Sequence, residues 1–192
     1  MNLRTTARIV GTLFLAAMVG SLVGGVAFVE PYLSAPNALA AVAENETQVI
    51  VGVLLELING RAVLGIGVFM FPILRQRDEH IALGYIGLRI VESVFCCVIV
   101  LSPLSLIALS QAYVQASAAD AAYYQAAGAL SIAGRESVAE LLIPVFFGLG
   151  SLLFYRSLYQ FKLLPRFISV WGFVGAALIL ALNVLLAFGV EV

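Results

Sequence analysis

Charge is scarce in this sequence. Of its 192 residues only 11% are Asp, Glu, Lys or Arg, while 62% are hydrophobic. A soluble domain is nearer half apolar and a quarter charged, so the composition belongs to the membrane class. Histidine occurs once, as His80 in a charged loop, and cysteine only as the neighbours Cys96 and Cys97. There is no CxxC pair and no HExxH, which excludes a zinc or haem site built from several His and Cys ligands. No metal and no cofactor is expected. Adjacent cysteines rarely close a relaxed disulfide, and these two read as small core residues. Nothing pairs a serine or cysteine with a histidine, so hydrolysis by the common nucleophilic routes is not expected and no catalytic residue is assigned. The net charge of −1 gives no reason to expect a nucleic-acid partner. No Pro/Ser-rich linker divides the chain, so residues 1–192 read as a single domain.

What is abundant is long apolar sequence. Five runs stand out, at residues 9–29, 49–74, 81–109, 138–159 and 167–190. At 1.5 Å per residue each covers the ~30 Å hydrocarbon core, the longer ones with tilt. The expected fold is all-α: an integral membrane helical bundle of five transmembrane helices. The first run follows Arg4 and Arg8 and exceeds the roughly 7–15 residues of a signal-peptide core, so it reads as a retained helix. Pro103 is expected to kink or end the third span and Pro144 to bend the fourth. Between spans, residues 37–48 and 118–134 read as two short outer-face helices, the second with a capping-box start at Ser117 and Asp120. Tyr123 and Tyr124 would then lie at headgroup level. A rival reading makes 118–134 a sixth span, and another makes both segments plain connectors.

Arg4, Arg8, Arg75, Arg77, Arg156, Lys162 and Arg166 fall on one side of the five spans, seven of the ten basic residues. The positive-inside rule makes that side cytoplasmic, with the N-terminus inside and the C-terminus, with Glu191, outside. The expected location is a cytoplasmic membrane. Gly20 and Gly24 form a GxxxG in the first span, and Gly172 with Ala176 a small-xxx-small pair in the fifth. These serve helix packing within the chain or a homo-oligomer.

The charges inside the spans carry the functional question. A charged side chain at bilayer depth costs roughly 3 kcal/mol on insertion scales, so such residues are rare and usually face the protein interior. On the third span Tyr85, Arg89, Glu92 and Cys96 fall on one helical stripe, with Arg89 and Glu92 at i, i+3. On the second span Glu56 and Asn59 share a face, while Arg61 points about 140° away from Glu56, unless the helix breaks at Asn59-Gly60. Arg61 and Glu92 lie at similar depth, which predicts a contact between them, with Arg89 joining it or pairing locally. Glu56 and Glu140 are expected to face an outward-opening polar cavity. Asn183 and Tyr155 could add hydrogen bonds, and Tyr155 could equally anchor at the interface. The candidate site is thus Glu56, Asn59, Arg61, Arg89, Glu92 and Glu140.

Several pieces of the chain resemble a known family. They are Thr6-Ala7-Arg8-Ile9-Val10-Gly11, Gly87-Leu88-Arg89-Ile90-Val91-Glu92, Phe146-Phe147-Gly148-Leu149-Gly150, Tyr155-Arg156-Ser157 and Leu164-Pro165-Arg166. Their order and spacing are similar to those of a bacterial membrane family catalogued as domain of unknown function 4386, over nearly the whole chain. The family's Arg-x-x-Glu pattern falls here on Arg89 and Glu92. The resemblance implies an integral membrane protein and supplies no activity, substrate or cofactor.

Three functions fit these residues. The first is binding or transport of a small amphiphilic ligand, membrane lipid or ion at the intramembrane Arg/Glu cluster. The absence of an internal inverted repeat counts against a secondary transporter. The second is a structural or regulatory membrane partner in which the cluster only locks helix packing. The third is a membrane enzyme using Glu56, Glu92 or Glu140 as general acid or base.

Overall fold

Backbone groups in hydrocarbon must find their partners within their own segment, and each apolar run here does so as a helix. The structure, a computed structural model, describes residues 2–188, and no side chains at 118 and 119. Glu191 and the last two residues of the expected fifth span lie outside the described residues. Helix α1 runs Leu3–Leu33, with a π-helical stretch at Gly20–Val29, and α2 is Ala38–Glu44. Helix α3 is Glu46–Arg75, α4 is Glu79–Val98 and α5 is Leu101–Gln115. Helix α6 is Ala118–Ser137, α7 is Ile143–Phe161 and α8 is Arg166–Ala187. Helices α4 and α5 form one broken rod, Glu79–Gln115, and α6 enters α7 through a π-helical turn at Val138–Leu142. Five of the resulting rods are long and apolar enough to cross a membrane.

The seven basic residues outside the spans gather at one end of the bundle, called here the basic end. About 20 residues from that end, a rise of roughly 30 Å, leads to Leu55 on α3, Ile99 past α4, Leu141 before α7 and Leu186 on α8. Helices α5 and α6 therefore extend beyond a slab of hydrocarbon thickness, as a hairpin at the distal end. Tyr113 ties the hairpin together, its hydroxyl accepting from Asn37 at 3.1 Å and from Gln125 at 3.2 Å. Asn37 also caps α2, accepting from the Ala40 amide. The distal core holds Val29, Leu33, Leu39, Val42, Val49 and Leu106, and a second core near the basic end holds Val10, Ile66, Met70, Leu74, Tyr85 and Phe154.

One expectation needs correction. The segment 118–134 does not stand apart as a short outer-face helix: from Asp120 onward it belongs to a continuous 42-residue rod, Asp120–Phe161. Its alanines bury little yet extend a helix readily, and Val138–Leu142 continues it without a break. Ser117 does precede α6, but the expected capping box does not form: its hydroxyl donates to the Asp120 carboxylate at 2.7 Å and makes no capping bond to the backbone.

Prolines and glycines shape the spans as their chemistry requires. Pro103 has no N–H to give the carbonyl of Ile99, four residues back, and the rod breaks there between α4 and α5. The alternative of a break at Asn59-Gly60 does not occur: the helix is continuous from Glu46 to Arg75. Gly20 and Gly24 are spent within the chain: a Cβ at Gly24 would lie 2.7 Å from Leu55 Cβ and 2.8 Å from the Gly52 carbonyl. Gly172 lies flush against the Tyr155 ring, and Ala176 is buried.

Candidate functional site

Two buried ion pairs occupy the interior, one deep in the slab and one at its distal boundary. The stripe of α4 is the buried face: Tyr85, Arg89, Glu92, Ser93 and Cys96 are all shielded. Arg89, 2% exposed, donates from Nη1 to Glu92 Oε2 at 2.8 Å and from Nε to the Tyr85 hydroxyl at 3.2 Å. Its guanidinium also lies 5.2 Å from the Tyr85 ring centroid and 5.7 Å from that of Phe147 on α7. Glycines make the room. A Cβ at Gly67 on α3 would lie 2.9 Å from Arg89 Cβ, and one at Gly150 on α7 would lie 3.8 Å from Arg89 Cζ. Three helices thus close on one neutral ion pair. Tyr85 in turn stacks on Phe154, with centroids 5.3 Å apart.

The second pair joins Glu56 on α3 to Arg135 on α6. Arg135 donates from Nη1 to Glu56 Oε2 at 3.1 Å and from Nη2 to Glu56 Oε1 at 2.5 Å, a bidentate geometry that matches fork to carboxylate. Nη1 also donates to the Ile99 carbonyl at 3.0 Å. That is the carbonyl Pro103 leaves without its helical donor, so Arg135 repairs the break while it pairs Glu56. Gly25 of α1 lies against the same carboxylate: a Cβ there would come 3.1 Å from Oε1. Below this pair Ser93 donates to the Gly60 carbonyl at 2.8 Å, and Asn59 reaches Cys96 Sγ at 3.9 Å.

The structure therefore rearranges the expected cluster. Arg61 does not meet Glu92, because Arg89 already satisfies that carboxylate from the same helix. Arg61 is exposed and lies on the outward stripe of α3 with Leu54, Ile58 and Val68. Among the described residues it forms no ion pair. Glu56 does not open to a cavity: it is 3% exposed and closed off by Arg135. Glu140 does line one, of about 560 Å³, with Ser137, Pro144 and Asn183. The residue absent from the expected cluster is Arg135, which falls just past the expected outer helix 118–134 and reaches Glu56 because α6 runs on to Ser137. Its signal was that it is the lone basic residue among the acidic distal segments, opposite an unpaired Glu56.

Arg89, Glu92 and Glu56 line none of the five best-formed cavities among the described residues. Only Arg135 touches one, a cleft of about 250 Å³ with Ser102, Ser105 and Ser131.

Fold and interior together define an all-helical membrane protein whose buried charges are paired within the chain. The family model described as Domain of unknown function (DUF4386) matches residues 9–191, and the chain belongs to that family. No curated protein and no solved structure matches it.

Proposed function

We propose that this protein is a structural or regulatory component of a membrane complex, in which the two buried ion pairs lock the bundle and Arg61 faces a partner. The observation that carries the reading is the lipid-side exposure of Arg61. Arginines inside spans almost always face a bundle interior or a water-filled cavity. One on an outward apolar stripe supports an interior completed by another chain, through a helix bearing a carboxylate. Arg61 lies 14 residues from Arg75, roughly 21 Å from the basic end, and about 9 Å inside the distal boundary.

The binding or transport reading at Arg89 and Glu92 has less support. A conduit needs polar groups that open to water, whereas this pair is enclosed by Gly67, Tyr85, Phe147 and Gly150. We further infer that the basic end faces the cytoplasm of a bacterial cell, since the positive-inside bias is carried by seven residues.

Arg61→Leu is the test. In native-lipid nanodiscs the wild-type protein should have a mass well above the 20.4 kDa of one chain. Arg61→Leu should reduce it to a single chain while its melting temperature holds or rises. A wild-type protein of single-chain mass, or an assembly indifferent to Arg61→Leu, would overturn the reading. A second reading has one observation in its favour. Helical side chains lean toward the N-terminus, here the distal side, so Arg61 could reach headgroup phosphates instead. In that case the mass stays unchanged and anionic lipid is lost.

A further inference from the structure

The hairpin of α7 and α8 contains no acidic residue between Ile143 and Ala187, yet it gathers Arg156, Lys162 and Arg166 at its turn. Lys162 adopts a left-handed conformation, φ 54°, and the Leu163 amide donates to the Leu158 carbonyl at 3.1 Å, so the chain reverses tightly. Between the two helices lies a cavity of about 390 Å³ lined by Tyr155, Arg156, Tyr159, Ser169, Val170 and Phe173.

Ser169 is the telling residue. It is 1% exposed, and among the described residues its hydroxyl is the buried side-chain polar atom with no hydrogen-bond partner. A helical serine ordinarily bonds back to the carbonyl four residues earlier. Ser105, Ser137 and Ser157 each do so here, at 2.7, 2.9 and 2.6 Å. A buried hydroxyl without such a bond is costly and asks for a partner that the chain does not supply. The surroundings fit an anion. Arg156 lines the cavity, and Arg166 lies with its guanidinium 5.6 Å from the Tyr159 ring centroid. The first turn of α8 has neither an acidic residue nor a side-chain cap, which leaves its positive end free. Gly172 lets the Tyr155 ring form a flush wall, since a Cβ there would overlap the ring. Phe167 and Trp171, 76% and 75% exposed, mark the level as that of an aromatic belt beside headgroups.

We propose that this cavity binds a phosphate-bearing anion, with the Ser169 hydroxyl and the tyrosine phenols as donors and Arg156 as the charge partner. Val170 and Phe173 offer an apolar floor on which the chain of a phospholipid would lie.

The test uses the full chain in nanodiscs of phosphatidylcholine containing a minor fraction of phosphatidylglycerol, with native mass spectrometry of the lipid retained. One phosphatidylglycerol per chain should survive where phosphatidylcholine is stripped. Ser169→Ala and Arg156→Gln should each lower that retention about tenfold, the loss of one bond to a charged group. Melting in neutral detergent with added inorganic phosphate separates the sources. Stabilisation by inorganic phosphate without lipid retention assigns the site to a free anion, and retention without phosphate stabilisation assigns it to a headgroup. Either result should be abolished by the two variants. Lipid and phosphate responses unchanged by both variants would overturn the proposal, as would a Ser169→Ala protein that only melts higher.

Discussion

Replacing Arg135 with methionine should destabilise the bundle by about 3–5 kcal/mol, the cost of stranding one partner of a buried pair. The structure accounts for the magnitude. Arg135 makes three donor contacts, two to Glu56 and one to the Ile99 carbonyl, and both side chains of the pair are nearly inaccessible. Arg135→Met leaves a carboxylate facing Gly25 with no cation, and a carbonyl with no donor. The second loss alone is worth about 1–3 kcal/mol. Adding Glu56→Met removes the stranded charge, and the double variant should recover at least about 2 kcal/mol of what Arg135→Met lost. Equilibrium unfolding by denaturing detergent in mixed micelles reads all four proteins of the cycle. A double variant as unstable as the sum of the singles would refute the argument, because the two residues would then not be acting as a unit. So would an Arg135→Met protein that unfolds like wild type.

Other variants test the packing. Gly24→Ala should cost about 1–3 kcal/mol by overpacking against Gly52 and Leu55, whereas Gly87→Ala, with no atom within 4 Å of its Cβ, should be neutral or slightly stabilising in the same unfolding assay. Tyr85→Phe removes the acceptor for Arg89 Nε but keeps the ring beneath the guanidinium; a loss of about 1–3 kcal/mol is expected, and an unchanged midpoint would show that the hydroxyl carries nothing. Lys162→Gly relieves a left-handed lysine and should raise stability by about 1 kcal/mol, read as a higher melting temperature.

Much of the fold was legible because apolar length and basic flanks obey simple rules. The stripe Tyr85, Arg89, Glu92 and Cys96 followed from helical periodicity, and Pro103 broke its span where a missing N–H requires. Partner choice was not legible. Depth alone matched Arg61 to Glu92, but a carboxylate three residues from Arg89 on the same helix is satisfied locally, at no cost in interhelical geometry. Arg135 escaped notice because it sits in an Ala-rich segment whose helix continues into the next span. Only its three-dimensional approach to Glu56 and to the freed Ile99 carbonyl reveals its part. The sequence pattern of α3 likewise does not say which of its faces meets lipid. Gly52, Gly60 and Gly67 decide that by drawing α1 and α4 close, which turns Arg61 outward.

The buried charges are paired within the chain, and Arg61 faces a partner. Photo-cross-linking from position 64, on the same outward stripe of α3, tests it in native membranes, with position 178 on the lipid face of α8 as the control. The account predicts one discrete protein adduct from position 64, abolished by Arg61→Leu, and only lipid adducts from position 178. Lipid adducts alone from both positions would contradict it.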